Sequence, residues 1–122
     1  MYESGENYLE TIYMLSNKNG KVRSIDIARE LNFSKPSVSR AIGLLKNDNY
    51  IVVDEGGYIH LTEKGKEKAL AIYERHSVLT EFLTTFAKVE RKIAEEDACR
   101  MEHIISEETF QGLKQTLEEM KG

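Results

Sequence analysis

Apolar residues in the first 48 positions recur every three or four residues, which is the spacing of amphipathic helices. A first helix is predicted over residues 6–16, and the run Asn17–Gly20 that follows is typical of a helix end. Ser24 is the predicted N-cap of a second helix, and Ser34 that of a third helix with Pro36 in its first turn. The third helix is expected to bury Val38, Ala41, Ile42, Leu44 and Leu45.

The pattern then changes from helical spacing to two short β-type runs. Tyr50–Val53 and Tyr58–Leu61 predict two strands, and Glu55–Gly57 predicts the hairpin turn between them. Helical spacing returns over residues 62–86, 90–105 and 106–120. The predicted fold class is mainly α with a small β-hairpin. Three helices and a hairpin form a winged helix-turn-helix domain, which we predict over residues 1–62, followed by a helical domain over residues 63–122.

Charge is unevenly distributed along the 122 residues, whose formal net charge is −4. Residues 18–46 contain seven basic and two acidic side chains, a net charge of +5 that leaves −9 for the rest of the chain. A basic segment on an acidic body indicates a nucleic-acid-binding surface. No apolar run approaches the roughly 18 residues of a membrane span, the first residues are polar, and Cys99 is the only cysteine. We therefore expect a cytoplasmic protein without membrane contact or disulfides.

A helix-turn-helix places the N-terminal residues of its second helix in the major groove of DNA. Here that helix begins at Ser34. Serine hydroxyls suit phosphate oxygens and base edges, Arg40 suits guanine or phosphate, and a helix N-terminus favours phosphate. The alternative is a solvated helix face in a generic three-helix domain, and Tyr58 in the hairpin is a further candidate contact. The predicted DNA-binding residues are Ser34, Lys35, Pro36, Ser37, Ser39 and Arg40.

Three types of metal ligand lie within five residues of one another in the last quarter of the chain. Cys99, Glu102 and His103 are three and four positions apart, so a helix projects a thiolate, a carboxylate and an imidazole from one face. These groups are usual protein ligands of transition metals. Asn7 and Glu10 share a face of the first helix in the same way. The alternative is a buried cysteine beside a solvated Glu–His pair.

The order of these residues resembles the diphtheria toxin repressor family, which includes iron-dependent repressors and shorter manganese transport regulators. The resemblance rests on residues 6–13 (ENYLETIY), Arg75–His76 and residues 97–103 (DACRMEH), and it extends over nearly the whole chain. A lone histidine such as His76 is ordinarily structural, and it is the resemblance that makes it a candidate ligand. The resemblance implies a short form without the SH3-like domain of the longer iron regulators, because a length of 122 residues resembles that of the manganese branch.

The resemblance implies two neighbouring metal sites. Cys99, Glu102 and His103 match the primary site of the family, and Asn7 stands where the family has methionine or aspartate. His76 matches the second site, as does Glu10 in the manganese branch. Cysteine at position 99 is the usage of the iron branch, whereas Thr80 and Glu95 stand where the longer iron regulators have a carboxylate and a histidine. The implied cofactor is Fe(II) or Mn(II), with a preference for Fe(II) because a thiolate is a softer ligand than a carboxylate. Co(II), Ni(II) and Zn(II) are expected to bind in vitro.

The predicted function is that of a metal-dependent transcriptional repressor of metal homeostasis genes. A bound ion with ligands from both domains would restrict the angle between them, and in a homodimer this angle sets the spacing of the recognition helices. The expected partners are a palindromic double-stranded DNA operator and a second copy of the chain, without a small organic ligand. The expected dimer contacts are Ile93, Met101, Ile104, Phe110 and Leu113.

Two other functions compete with this prediction. One is a winged-helix regulator that does not respond to metals, which a metal titration distinguishes from the predicted repressor. The other is a zinc hydrolase, but the sequence contains no His-Glu-x-x-His motif. We therefore expect that the protein is not an enzyme.

Overall fold

The computed structural model describes residues 3–121, with side chains from residue 4 onward, so the predicted polar start at Met1 and Tyr2 and the predicted domain end at Gly122 lie outside the described residues. The fold class is confirmed as mainly α with one antiparallel β-hairpin. The chain forms two compact units, Met1–Leu70 and Ala71–Gly122. The elements are α1 Glu3–Asn19, α2 Ser24–Leu31, α3 Lys35–Asn47, β1 Ile51–Val53, β2 Ile59–Leu61, α4 Glu63–Thr85, α5 Arg91–Met101 and α6 Glu107–Lys121.

The first unit is built around one apolar cluster to which α1, α2, α3 and both strands contribute. Burying one such side chain contributes roughly 1.5–3 kcal/mol. Because each of these elements supplies at least one buried side chain, the cluster fixes the position of α3 against the rest of the unit. The central members, each at most 3% exposed, are Leu9, Ile12, Val22, Ile27, Val38, Ile51 and Ile59.

Two helix starts test the capping predictions. α3 begins after Ser34, whose Oγ accepts a hydrogen bond from the Ser37 N–H at 3.3 Å, so Ser34 is the N-cap as predicted. The prediction for α2 was wrong by one residue, because the N-cap is Arg23 and Ser24 is already helical. The Arg23 N–H donates to the Asp26 carboxylate at 2.9 Å, so an acidic side chain in the first turn caps the start of this helix.

Two further expectations in the first unit are corrected. α1 continues to Asn19, beyond the predicted end at residue 16, and the chain leaves the helix at Gly20, which has a φ of +80°. Leu44, predicted to be buried, is 60% exposed. The buried stripe of α3 follows spacings of four and three residues, and position 44 projects away from that stripe. The stripe consists of Val38, Ile42 and Leu45.

The Asp54 carboxylate bonds several groups of the hairpin loop. Its carboxylate accepts hydrogen bonds from the N–H groups of Gly56 and Tyr58, each at 2.9 Å, and it lies 2.9 Å from His60 Nε2. The contact with His60 and the bond from Tyr58 hold the pKa of Asp54 below its ordinary value of 3.8. The ionised carboxylate therefore stabilises the loop conformation that places Tyr58.

Low pH is expected to destabilise the conformation of this loop. Because folding lowers the pKa of Asp54, its contribution is complete above pH 3.8 and is lost as the pH falls through the lowered pKa. The amide resonances of Gly56 and Tyr58, followed by NMR, should therefore shift together below pH 3.8. In Asp54→Asn the same transition should be missing. A transition that survives in this variant would contradict the assignment to Asp54.

The second unit contains the largest departure from the predicted helix boundaries. α5 ends at Met101, four residues before the predicted end at Ile105, and Glu102 is its C-cap. The last helix begins as predicted after Ser106, whose Oγ accepts a hydrogen bond from the Thr109 N–H at 3.1 Å. Residues 102–105 therefore form a turn between α5 and α6. Within residues 3–121, no helix combines the length and the apolarity of a membrane span.

Phe110, one of the expected dimer contacts, is buried inside its own unit. It is 4% exposed, and the guanidinium of Arg75 lies 5.2 Å from the centroid of its ring. Ile93 and Ile104, from the same expected set, are 47% and 71% exposed. Phe110 is therefore removed from the set of surface residues available to a partner, whereas the two isoleucines remain in it.

Candidate functional site

A buried carboxylate lies between two imidazoles in the second unit. Glu102 Oε2 is 2.9 Å from His76 Nδ1, and Glu102 Oε1 is 3.2 Å from His103 Nε2. The side chains of Glu102 and His103 are 0% and 3% exposed, and that of His76 is 27% exposed. The structure thus brings together three of the predicted ligands, from α4 and from the turn after α5.

The end of α5 positions two of these ligands. The Glu102 N–H donates to the Ala98 carbonyl at 2.9 Å, which completes the last helical bond, and His103 follows in the turn. Because Glu102 keeps helical backbone angles, it remains one turn from Cys99, as the spacing predicts. Cys99 is exposed and lines an open cavity together with His76.

The donor chemistry of this cluster fits a divalent transition metal. A buried carboxylate is costly unless it is paired with a proton donor or a cation. One imidazole nitrogen lies 2.9 Å from one oxygen of the Glu102 carboxylate, and another lies 3.2 Å from the other oxygen. Imidazole and carboxylate groups are ligand types that divalent transition metals accept. His76, Glu102 and His103 would hold the ion, and the thiol of Cys99, which lines a cavity with His76, is a softer donor.

The two predicted ligands of α1 belong to the first unit. Glu10 is 7% exposed and Asn7 is half-buried, and they lie three residues apart on one helix face. The main-chain carbonyl of Asn7 accepts a hydrogen bond from Thr11 Oγ1 at 2.9 Å. Their participation in metal binding stays a prediction.

Thr80 and Glu95 stand where the longer iron regulators have metal ligands. Thr80 is buried, whereas Glu95 is exposed. Thr80 is 3% exposed, and its hydroxyl has no hydrogen-bond partner within residues 3–121. Glu95 is exposed, and its carboxylate lies 3.2 Å from Arg91 Nε, with which it forms an ion pair. A neutral hydroxyl and an exposed, paired acid make a weaker donor set than the cluster around Glu102.

The predicted DNA-binding residues form the exposed start of α3. All six, Ser34, Lys35, Pro36, Ser37, Ser39 and Arg40, are exposed. Ser34 Oγ donates to Ser37 Oγ at 2.8 Å, so these two hydroxyls are oriented by each other. Lys35 and Ser39 also line a groove against Ser24 at the start of α2. The first turns of both helices therefore present hydroxyl, amide and ammonium groups to solvent on one surface.

A second basic surface, which the prediction of the DNA-binding residues missed, lies beside the hairpin. Lys21 Nζ and the Arg23 guanidinium lie 4.9 and 4.4 Å from the centroid of the Tyr58 ring. The Ile59 N–H donates to the Val22 carbonyl at 2.7 Å, so the hairpin is bonded to the segment between the two cations. No local sequence signal pairs Tyr58 with residues 21 and 23, because the contact spans more than thirty residues.

Comparison with known proteins assigns the chain to a family. The model of the iron dependent repressor N-terminal DNA binding domain matches residues 1–61, and the model of the iron dependent repressor metal binding and dimerisation domain matches residues 62–122. The chain belongs to the iron-dependent repressor family. This family of metal-dependent transcriptional regulators binds DNA and dimerises. The predicted resemblance to the diphtheria toxin repressor is thereby confirmed.

The relatives of the chain differ in length. An uncharacterized HTH-type transcriptional regulator of Methanocaldococcus jannaschii, MJ0568, is 34% identical over 99% of this chain and 98% of its own length. The diphtheria toxin repressor of Corynebacterium diphtheriae is 28% identical over 98% of this chain and 53% of its own. The solved manganese regulator SloR superposes with a TM-score of 0.83, at 28% identity, over 93% of this chain and 53% of SloR. The chain thus spans about half the length of the last two.

Proposed function

We propose that this chain is a metal-dependent repressor that senses Fe(II) or Mn(II) and controls metal homeostasis genes. The observation that carries the proposal is the buried cluster of His76, Glu102 and His103, with separations of 2.9 and 3.2 Å. It lies in the part of the chain that matches the metal binding and dimerisation domain. Residues 1–62 are assigned to DNA binding, and residues 63–122 to metal binding and dimerisation.

The proposed ligand set keeps all the residues predicted from the sequence. The buried cluster supports His76, Glu102 and His103 directly, and the exposed thiol of Cys99 beside His76 is consistent with a fourth ligand. Asn7 and Glu10 stay in the proposed ligand set because of the resemblance to the diphtheria toxin repressor family. The proposed restriction of the angle between the two domains by a bound ion depends on these two residues. Loss of metal-dependent DNA binding in Glu10→Gln, with metal binding retained in part, would support it.

The proposed DNA partner is a palindromic operator bound by a homodimer. A dimer with two-fold symmetry presents the same recognition helix twice, so its operator repeats the same half-site in inverted order. The hydroxyl and ammonium groups at the start of α3 would contact bases and phosphates. Lys21 and Arg23, beside Tyr58, add two cations suited to the phosphate backbone. No small organic ligand enters this proposal.

DNA binding with and without metal tests the proposal. Sites selected from random duplex DNA by the metal-loaded protein would be titrated by fluorescence anisotropy with Mn(II), Fe(II), Co(II) or Zn(II), anaerobically and under reducing conditions. Binding should require an ion, and light scattering should give a dimer. Equal affinity with and without every ion would instead favour a winged-helix regulator that does not respond to metals.

Arg40→Ala is expected to weaken DNA binding while leaving metal binding unchanged. Arg40 is exposed on α3 and lies in the part of the chain that matches the DNA-binding domain. Loss of one phosphate contact should lower the slope of log affinity against log salt by about one unit, whereas loss of a base contact should relax specificity at one position. Arg91→Ala, which removes an exposed arginine of α5, is the control. Equal affinities for Arg40→Ala and wild type at several salt concentrations would remove Arg40 from the interface.

Cys99→Glu is expected to shift the activating metal from Fe(II) toward Mn(II). A carboxylate is a harder ligand than a thiolate, and affinity for softer donors rises from manganese through iron to cobalt. Anaerobic DNA-binding titrations with each ion measure the shift. Cys99→Ser serves as the control for loss of the sulfur alone. Identical responses of wild type and Cys99→Glu to every ion would show that Cys99 does not set the selectivity.

A further inference from the structure

Arg75 bonds three different groups of the segment after α5. Its Nη1 donates to the main-chain carbonyls of Glu102 and Ile105, each at 3.1 Å, and its Nη2 donates to Glu107 Oε2 at 2.6 Å. The guanidinium also lies 5.2 Å from the Phe110 ring centroid. The Arg75 side chain is only 19% exposed, and its hydrogen bonds join both ends of the 102–105 turn to α4.

The bonds from Arg75 Nη1 go to main-chain carbonyls at and after the end of α5. The last carbonyls of a helix have no partner within the helix, and a guanidinium offers several donors in one plane to such carbonyls. In this turn the N–H groups of Ile104 and Ile105 both donate to the Met101 carbonyl, at 3.1 Å. The Glu102 and Ile105 carbonyls accept from Arg75 instead, so the conformation of the turn depends on a side chain of α4.

The same turn carries two of the proposed metal ligands. Glu102 is held at both of its ends by adjacent residues of α4: its carbonyl by Arg75 and its carboxylate, at 2.9 Å, by His76. His103 is the next residue of the turn. A shift of the turn backbone would therefore displace the ligand atoms of Glu102 and His103 together, while His76 would stay on α4.

We propose that Arg75 is a positioning residue of the metal site, which holds the 102–105 turn so that Glu102 and His103 present their ligand atoms beside His76. Its Nη1 hydrogen bonds go to the backbone of the turn that carries Glu102 and His103, so Arg75 acts through that backbone. This inference rests on the proposed metal binding. Groups that orient metal ligands affect affinity by about ten- to a hundredfold in other metal sites.

Arg75→Met tests the proposal, because methionine keeps an unbranched apolar stem beside Phe110 but removes every donor. The full chain would be titrated anaerobically with Co(II), followed by calorimetry and by the visible absorption of the bound ion. We expect the affinity for Co(II) to fall about ten- to a hundredfold, and the absorption spectrum at saturation to differ from that of wild type. Arg75→Lys, which restores one donor and the charge, should recover part of the affinity.

Lys114→Met is the matched control. Lys114 Nζ pairs with Glu74 Oε1 at 2.6 Å, and this pair also joins α4 to α6, but it does not bond the 102–105 turn. Its loss should leave Co(II) affinity within about twofold of wild type, even if thermal melting of the metal-free protein shifts.

The outcomes separate this inference from the proposed function. Wild type that binds no Co(II) would overturn the proposed metal binding and the role of Arg75 with it. Wild-type binding together with unchanged affinity and spectrum in Arg75→Met would overturn only the role of Arg75. An equal loss of affinity in Arg75→Met and Lys114→Met, with wild-type spectra at saturation in both, would show a merely structural role and would also overturn it.

Discussion

Glu102→Gln is expected to abolish metal-dependent DNA binding and to lower metal affinity by on the order of a hundredfold or more. Glutamine keeps the shape of the side chain but removes the charge that would balance a cation in this cluster. The Glu102 side chain is fully buried and is the group that approaches both His76 and His103. Calorimetric titration with Mn(II) and Co(II) measures the affinity, and fluorescence anisotropy measures DNA binding.

Glu119→Gln is the control for this variant. It removes one negative charge from an exposed position of α6, where the carboxylate accepts a hydrogen bond from Gln115. Exposed substitutions of this kind usually change stability by about 0.5 kcal/mol or less, so metal affinity and DNA binding should stay close to wild type. If Glu102→Gln and Glu119→Gln gave the same small change in metal affinity, the buried cluster would not be the metal site.

Gly65→Ala is expected to destabilise the first unit by about 3 kcal/mol. A Cβ at Gly65 would lie 1.9 Å from the Tyr50 carbonyl oxygen and 2.9 Å from its carbon, and both are backbone atoms that no rotamer change can move. The Thr62 N–H donates to the same carbonyl at 3.0 Å, so displacement of α4 would break that bond as well. Since domains are stable by only about 5–15 kcal/mol, thermal and urea denaturation should show the loss clearly.

Gly43→Ala is the matched control in the same unit. Gly43 lies inside α3, and a Cβ there would meet nothing within 4 Å. Alanine inside a helix is more stable than glycine by roughly 0.5–1 kcal/mol, so this variant should unfold at a slightly higher urea concentration than wild type. If Gly65→Ala were as stable as Gly43→Ala, the close approach of Gly65 to Tyr50 would be absent in solution.

The sequence by itself determined the features that depend on neighbouring residues. Helical spacing predicted the element order, and the serines at positions 34 and 106 marked two helix starts, because a cap bonds an N–H only three residues away. The ligand types at Cys99, Glu102 and His103 were visible for the same reason. Their spacing is local, so a pattern on one helix face already placed Cys99 and Glu102 one turn apart.

The tertiary structure decided every feature that depends on residues distant in the chain. α5 ends at Met101, although helical spacing continues, and Arg75, 27 residues before Glu102, bonds the turn carbonyls that follow. Phe110 is covered by Arg75 instead of remaining on the surface. Tyr58 likewise meets Lys21 and Arg23 only after the hairpin has paired with the segment that joins α1 and α2. Such contacts leave no periodic signal, because each depends on where folding brings two distant backbones together.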